Sequence, residues 1–224
     1  MELALLQGSA ALAFILRWIH LLAGVAWIGL LWYFNFVQGE YFKEADGSSK
    51  SDAIRKLVPR ALWWFRWGAM FTFLSGVALL GVKHGMGFQL GWGIWLGGTL
   101  GTLMFLNVWL IIWPKQKIVI ASAEKVASGG EADPAAAGAL AKAGLASRTN
   151  TLFSIPMLFF MASSVHLAQL MTASTVAKVV SLAIVVVLEV NAIVGKQGPM
   201  ASVKGVIHMG LLLTLVLYLV VDLL

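Results

Sequence analysis

No cysteine occurs anywhere in this chain. That absence excludes disulfides, thiolate metal sites, iron–sulfur clusters and haem attached covalently through C-x-x-C-H. Charge is almost as scarce. Only 12% of residues are Asp, Glu, Lys or Arg, about half the roughly 25% of a soluble domain. Long polar stretches are missing too. The longest, residues 114–149, is too short to enclose a core of its own, so no soluble domain is expected. There is no Walker loop, dinucleotide fingerprint, G-x-S-x-G or H-E-x-x-H, the local signatures of common soluble enzymes. Met1 and Glu2 put no basic region ahead of the first apolar run. That run therefore reads as a span and not as a cleaved signal peptide.

What is present is hydrophobic: 60% of the residues, in long uncharged stretches from end to end. About 20 apolar residues cross a bilayer core. Spans are expected near residues 10–37, 61–83, 90–113, 150–171, 176–194 and 204–222. The fold class is all-α: one integral membrane domain over residues 1–224, a polytopic bundle of about six spans in a lipid bilayer. Within the 114–149 loop, Pro114 is expected to end the third span, and Gly129-Gly130 marks a break. Asp133-Pro134 then has the form of a helix start, cap followed by proline, and opens a short amphipathic cytoplasmic helix to Ala146.

The basic residues fall on one side. Thirteen of the 16 Lys and Arg lie in or beside the loops 38–60, 114–149 and 195–203; Arg17, Lys83 and Lys178 lie on the other side. By the positive-inside rule these loops are cytoplasmic and both termini periplasmic. The net charge of +6 thus follows from topology and gives no reason to expect a nucleic-acid partner. Most of the ten tryptophans, such as Trp63, Trp64, Trp92 and Trp113, sit near span ends as interfacial anchors.

Ionisable groups inside hydrocarbon mark candidate sites. All four histidines lie in or at spans: His20, His84, His166 and His208. His20 precedes the inner end of its span by about 17 residues, and His166 follows the inner end of its own by about 16. Both are therefore roughly 25 Å from the cytoplasmic boundary. Two imidazoles at one depth on different helices can ligate a single b-type haem. Ala23 and Gly24 share the helix face of His20, and Ala162 and Ser163 that of His166. Such small residues leave room for a flat macrocycle, or equally let helices pack closely. Hydrogen bonding to a neighbouring span is the plainer alternative for each histidine. His84 lies farther out, beside Lys83 and Gly85, as a loop residue or a replacement ligand. At the opposite end Arg66, Asn107 and Glu189, each five or six residues inside its boundary, share a similar depth with His208. They read as a polar layer serving a proton path or a polar substrate, or else as interhelical hydrogen bonding and snorkelling.

Particular strings carry a resemblance. The run Arg17-Trp18-Ile19-His20-Leu21-Leu22-Ala23-Gly24-Val25-Ala26-Trp27-Ile28-Gly29, followed by Trp32-Tyr33-Phe34, resembles the first span of the membrane-bound, cytochrome c-linked urate oxidase (urate hydroxylase) family. Trp64-Phe65-Arg66-Trp67 with Leu74-Ser75-Gly76 is similar to that family, and so is Asn107-Val108-Trp109 with Ile112-Trp113-Pro114-Lys115-Gln116. Ala146-Ser147-Arg148-Thr149-Asn150-Thr151 follows in the family's order. The first run also resembles small haem-binding membrane proteins of the protoporphyrinogen-oxidase-like kind, in which a first-span histidine is a haem ligand. The resemblance implies a membrane fold, a bacterial inner-membrane location and His20 as a ligand. There are departures. The family joins its membrane domain to a cytochrome c, and these residues hold neither that domain nor a cysteine to carry its haem. Where the family has an acid shortly after the second-span tryptophan, this chain has Gly68-Ala69.

The expected function is a haem b-binding membrane protein that passes electrons, alone or as a subunit of a redox assembly. One alternative is a non-catalytic membrane subunit docking on a respiratory or photosynthetic complex. The other is a urate-oxidase-like oxidoreductase that uses an external cytochrome. The topology is open to direct test, because a cysteine-free chain gives no background to thiol labelling. Single cysteines placed near residues 48, 130 and 198 should resist an impermeant reagent in intact cells and react after permeabilisation. Labelling of these loops in intact cells would refute the orientation.

Overall fold

The computed structural model describes residues 8–224, with the side chains of all but residues 164, 165, 168 and 169. The described chain is helical, and no strand occurs in it. Six long helices and one short one follow in order: α1 Gly8–Glu44, α2 Gly47–Lys56, α3 Val58–Gly85, α4 Trp92–Ala127, α5 Ala136–His166, α6 Thr175–Val194 and α7 Val203–Leu223. Short 3-10 turns at Ala168–Met171 and Gly198–Ala201 precede α6 and α7. Of the long helices, α1, α3, α4, α6 and α7 are long and apolar enough to cross a membrane. Many of their exposed side chains, among them Val25, Phe71, Leu74, Val187 and Leu211, are apolar too, a surface compatible with hydrocarbon.

Helix α5 is the least apolar of the six, and its place in the bundle explains why. It touches α1, α4, α6 and α7, and residues 148–154 are all buried. A span surrounded by protein can carry polar side chains that a lipid-facing span cannot.

Small residues set the close approaches. Helix α1 lies along α3, where Gly68, Thr72 and Gly76 repeat at four-residue spacing. A Cβ on Gly68 would stand 3.0 Å from the main-chain nitrogen of Trp27 and 3.2 Å from the carbonyl of Ala23. Helix α4 meets α5 through Gly93, Gly97 and Gly101 in the same way, with Gly97 against Phe160 and Met161. Gly210 of α7 sits on Ile155 of α5.

The helices differ from the expected spans at three places. First, α4 does not stop at Pro114 but runs on to Ala127. The six residues before α4 resumes, Asn107–Ile112, form a π-helical turn, and the Trp113 N–H reaches back five residues to the Val108 carbonyl. A wide turn gives Pro114 space for its ring and does not need its missing N–H. Second, α1 continues to Glu44 through a π-turn at Tyr33–Gln38. Third, the short helix expected up to Ala146 is the opening of α5 itself, which runs unbroken to His166. Its start lies just after Asp133-Pro134: Ala135 is the cap and Ala136 the first helical residue, so Asp133 caps nothing, although its carboxylate accepts the Ala135 N–H at 2.8 Å and its carbonyl that of Ala136. Gly129 turns the chain before it with φ +87°.

The α1–α3 seam can be tested by filling it. Gly68→Val should destabilise the protein by about 1–3 kcal/mol, because backbone atoms of α1 have to move. Gly81→Val on the same helix, where a Cβ meets nothing within 4 Å, should change little. Thermal unfolding in detergent compares the two, and equal effects would contradict the seam.

Candidate functional site

The His20 ring rests on α3. Its Nδ1 lies 2.8 Å from the Thr72 carbonyl oxygen. A carbonyl only accepts, so Nδ1 carries the proton and Nε2 presents the lone pair. Ser75 Oγ is 3.3 Å from the same nitrogen but donates to the Phe71 carbonyl at 2.5 Å. Gly76 makes the position possible, since a Cβ there would come within 3.0 Å of His20 Cε1. Ala23 and Gly24 face the same seam, Ala23 against Gly68 and Gly24 toward Thr72. Of their two sequence readings, close helix packing is the one seen. The ring itself is half-buried.

His166 is the last residue of α5 and is exposed. One hydrogen bond relates its height to that of His20: Trp32 Nε1 donates to Ser154 Oγ at 2.9 Å, which fixes antiparallel α1 and α5 in register. From that bond outward, His20 and His166 are each about twelve residues, or roughly 18 Å, along their helices. Near His166, Ala162 is exposed and Ser163 is buried, donating to the Phe160 carbonyl at 3.0 Å. His84, in the last turn of α3, is exposed beside a shallow surface cavity with Phe88, Gln89 and Trp95. It stands eight residues beyond Gly76, roughly 12 Å farther out.

At the Lys/Arg-rich end a chain of amides crosses the bundle. Asn107 Nδ2 donates to Asn150 Oδ1 at 2.9 Å and to Glu189 Oε2 at 3.2 Å. Asn150 Nδ2 donates to the Met104 carbonyl at 2.9 Å, in the turn that leads into the π-helix of α4. Asn107 is 1% exposed and Asn150 is fully buried, so each depends on these bonds. Of the four residues expected in a polar layer, Asn107 and Glu189 thus meet. Arg66 does not join them, because its guanidinium lies over the Trp113 ring at 3.9 Å. His208 is exposed on α7 and bonds to none of the other three. Among the described residues no cation lies within ion-pair distance of Glu189.

A third contact completes the pattern. Asn35, in the π-turn of α1, donates to Ser147 Oγ and to its own Leu31 carbonyl, both at 2.8 Å. The sequence did not single out Asn35 or Ser154, and Ser147 and Asn150 stood out only within the string that carries the family resemblance. Ser147, Asn150 and Ser154 recur at three and four residues, one polar stripe on a helix, and that spacing is the signal that points to them.

Residues 91–221 match the model of the family described as urate oxidase N-terminal. The chain belongs to that family. No curated protein and no solved structure matches it. The matched segment runs from the start of α4 into α7. It holds Asn107, Arg148, Asn150, His166, Glu189 and His208; His20, Arg66 and His84 lie before it.

Proposed function

We propose that this urate-oxidase-related chain is a membrane domain that binds haem b and passes electrons, and that His20 and His166 are the residues that would hold the haem. The observation that carries this reading is the His20 geometry. A main-chain carbonyl holds Nδ1–H, and Nε2 is left with an oriented lone pair, the arrangement of a metal-ligating histidine. The shared level of His166 supports it. Two imidazoles suit an iron whose other ligands a porphyrin supplies.

Haem supplies reversible one-electron chemistry when bound. The protein's part is to fix the ligand. The Thr72 carbonyl sets the tautomer of His20, and Gly76 lets the ring lie against α3. The half-buried, apolar surroundings keep bulk water from that face. The basic loops are assigned to the cytoplasm of a bacterial inner membrane and both termini to the periplasm. A haem at the level of His20 then lies near the periplasmic face, within reach of a cytochrome or a larger redox complex. Family membership favours a second reading, an oxidoreductase acting on urate or a related compound with an external cytochrome as acceptor. Substrate-dependent reduction of an added cytochrome c tests that reading.

Protein purified after haem-replete expression should show a Soret band. His20→Ala and His166→Ala should each shift the spectrum, because loss of one imidazole changes the iron's coordination. Gly76→Ala should perturb it more weakly by crowding the ring. Absence of a Soret band would overturn the proposal. A spectrum unchanged in both histidine variants would refute the ligand pair and move attention to His84.

A further inference from the structure

The seam between α3 and α4 is built differently from the glycine seams α1–α3 and α4–α5. Three rungs cross it. Phe73 stacks on Phe105 with ring centres 4.3 Å apart, Trp67 meets Trp109 edge-on at 5.6 Å, and the Arg66 guanidinium lies over the Trp113 ring at 3.9 Å. The rungs fall along α3 as they rise along α4, as antiparallel neighbours require. Large side chains hold two helices farther apart than glycine does. The main chains of α3 and α4 accordingly approach in far fewer places than those of α1 and α3. Trp67 also belongs to an aromatic stripe on α3, with Trp63 at 6.4 Å on one side and Phe71 at 6.0 Å on the other. Both of those rings are exposed.

The end of this seam nearest the basic loops carries charge without an acid. Lys117, one turn after Trp113, places its ammonium 5.6 Å from the centre of the same ring. Two cations from two helices thus share one indole. The ion pairs among the described residues, Lys43–Glu40, Arg55–Asp52 and Lys56–Asp52, include neither of them. Arg66 donates to no acceptor among the described residues, and none of its nitrogens is shut off from the surface. Lys117 is exposed. The ring quadrupole orients a cation but does not cancel its charge. Arg66 lies about eight residues, or roughly 12 Å, into α3, a depth at which an unbalanced charge in a bilayer calls for an anionic partner.

We propose that the α3–α4 seam binds an anionic phospholipid from the leaflet at the Lys/Arg-rich end. Its phosphodiester accepts charge-assisted hydrogen bonds from Arg66 and Lys117, and Trp113 holds both cations at that level. One acyl chain runs inward along Trp67 and Phe71. Basic groups between spans favour anionic headgroups. A zwitterionic lipid would bring its own cation up to Arg66 and Lys117 and is disfavoured. The proposal needs the chain to lie in a bilayer, but neither bound haem nor a small-molecule substrate.

The test uses the full chain in phosphatidylcholine nanodiscs that contain a rising fraction of phosphatidylglycerol, at fixed ionic strength. The thermal midpoint should rise and saturate, because a ligand of the folded state stabilises it. Native mass spectrometry should find one phosphatidylglycerol retained. Lys117→Gln should weaken the response about fivefold, and Arg66→Gln about tenfold or more. Lys178→Gln removes a lone cation over Trp92 at the Lys/Arg-poor end and should leave the response unchanged. Because Lys117 is exposed, its variant decides the matter should Arg66→Gln fail to fold. The proposal is overturned by no saturable rise with phosphatidylglycerol, or by an equal rise when inorganic phosphate is added to pure phosphatidylcholine discs. It is also overturned if Lys117→Gln responds like the parent, or if Lys178→Gln loses as much as Lys117→Gln.

Discussion

An amide inside an apolar bundle has no water to turn to, so the Asn150 side chain takes its partners from the protein. It accepts from Asn107 and donates to the Met104 carbonyl, so one side chain ties α5 to α4 at two points. Sliding α4 by one residue would break both bonds and leave two buried amides unpaired, at about 1–3 kcal/mol each. The register so fixed brings Gly93, Gly97 and Gly101 against α5. It also carries the π-turn that lets α4 pass Pro114. From the same polar stripe of α5, Ser147 and Ser154 hold α1 through Asn35 and Trp32. The height of His20 relative to α5 is a consequence of those two bonds.

The long apolar runs made six helices legible from hydropathy alone, because burial in lipid asks for the same residue types at every turn. Helix ends were less legible. Pro114 reads as a stop unless the preceding turn is known to be π-helical, and that turn has no local sequence code. The start of α5 was visible to within two residues because Asp133-Pro134 is a local turn signal. Its continuation into the fourth span was hidden behind Ser147-Arg148-Thr149-Asn150, a polar string that looks like a loop until its burial by four neighbours is seen.

The candidate sites were legible in depth but not in direction. Counting residues along helices places Arg66, Asn107, Glu189 and His208 in one layer, but depth is a single coordinate. Which face a side chain occupies decides contact. Asn107 and Glu189 meet, while Arg66 stacks on Trp113 and His208 faces outward. His20 stood out in the sequence, but the Thr72 carbonyl that orients it is main chain and leaves no mark there. The result is a molecule with polar groups at two levels. One is an oriented imidazole near the Lys/Arg-poor end, and the other a buried amide network near the Lys/Arg-rich end, with the apolar core of Trp27, Phe65, Leu96, Leu100, Phe153 and Phe160 as the main packing of the bundle.

The dependence of this arrangement on the α4–α5 amide pair can be measured with a double-mutant cycle. Asn107→Leu, Asn150→Leu and the double variant would be compared with the parent by reversible unfolding in mixed micelles. The pair should show a coupling free energy of about 1 kcal/mol or more, with the double variant less destabilised than the sum of the singles. Additivity within about 0.3 kcal/mol would mean that the two amides act independently, and would contradict the role given to Asn150 in setting the bundle's register.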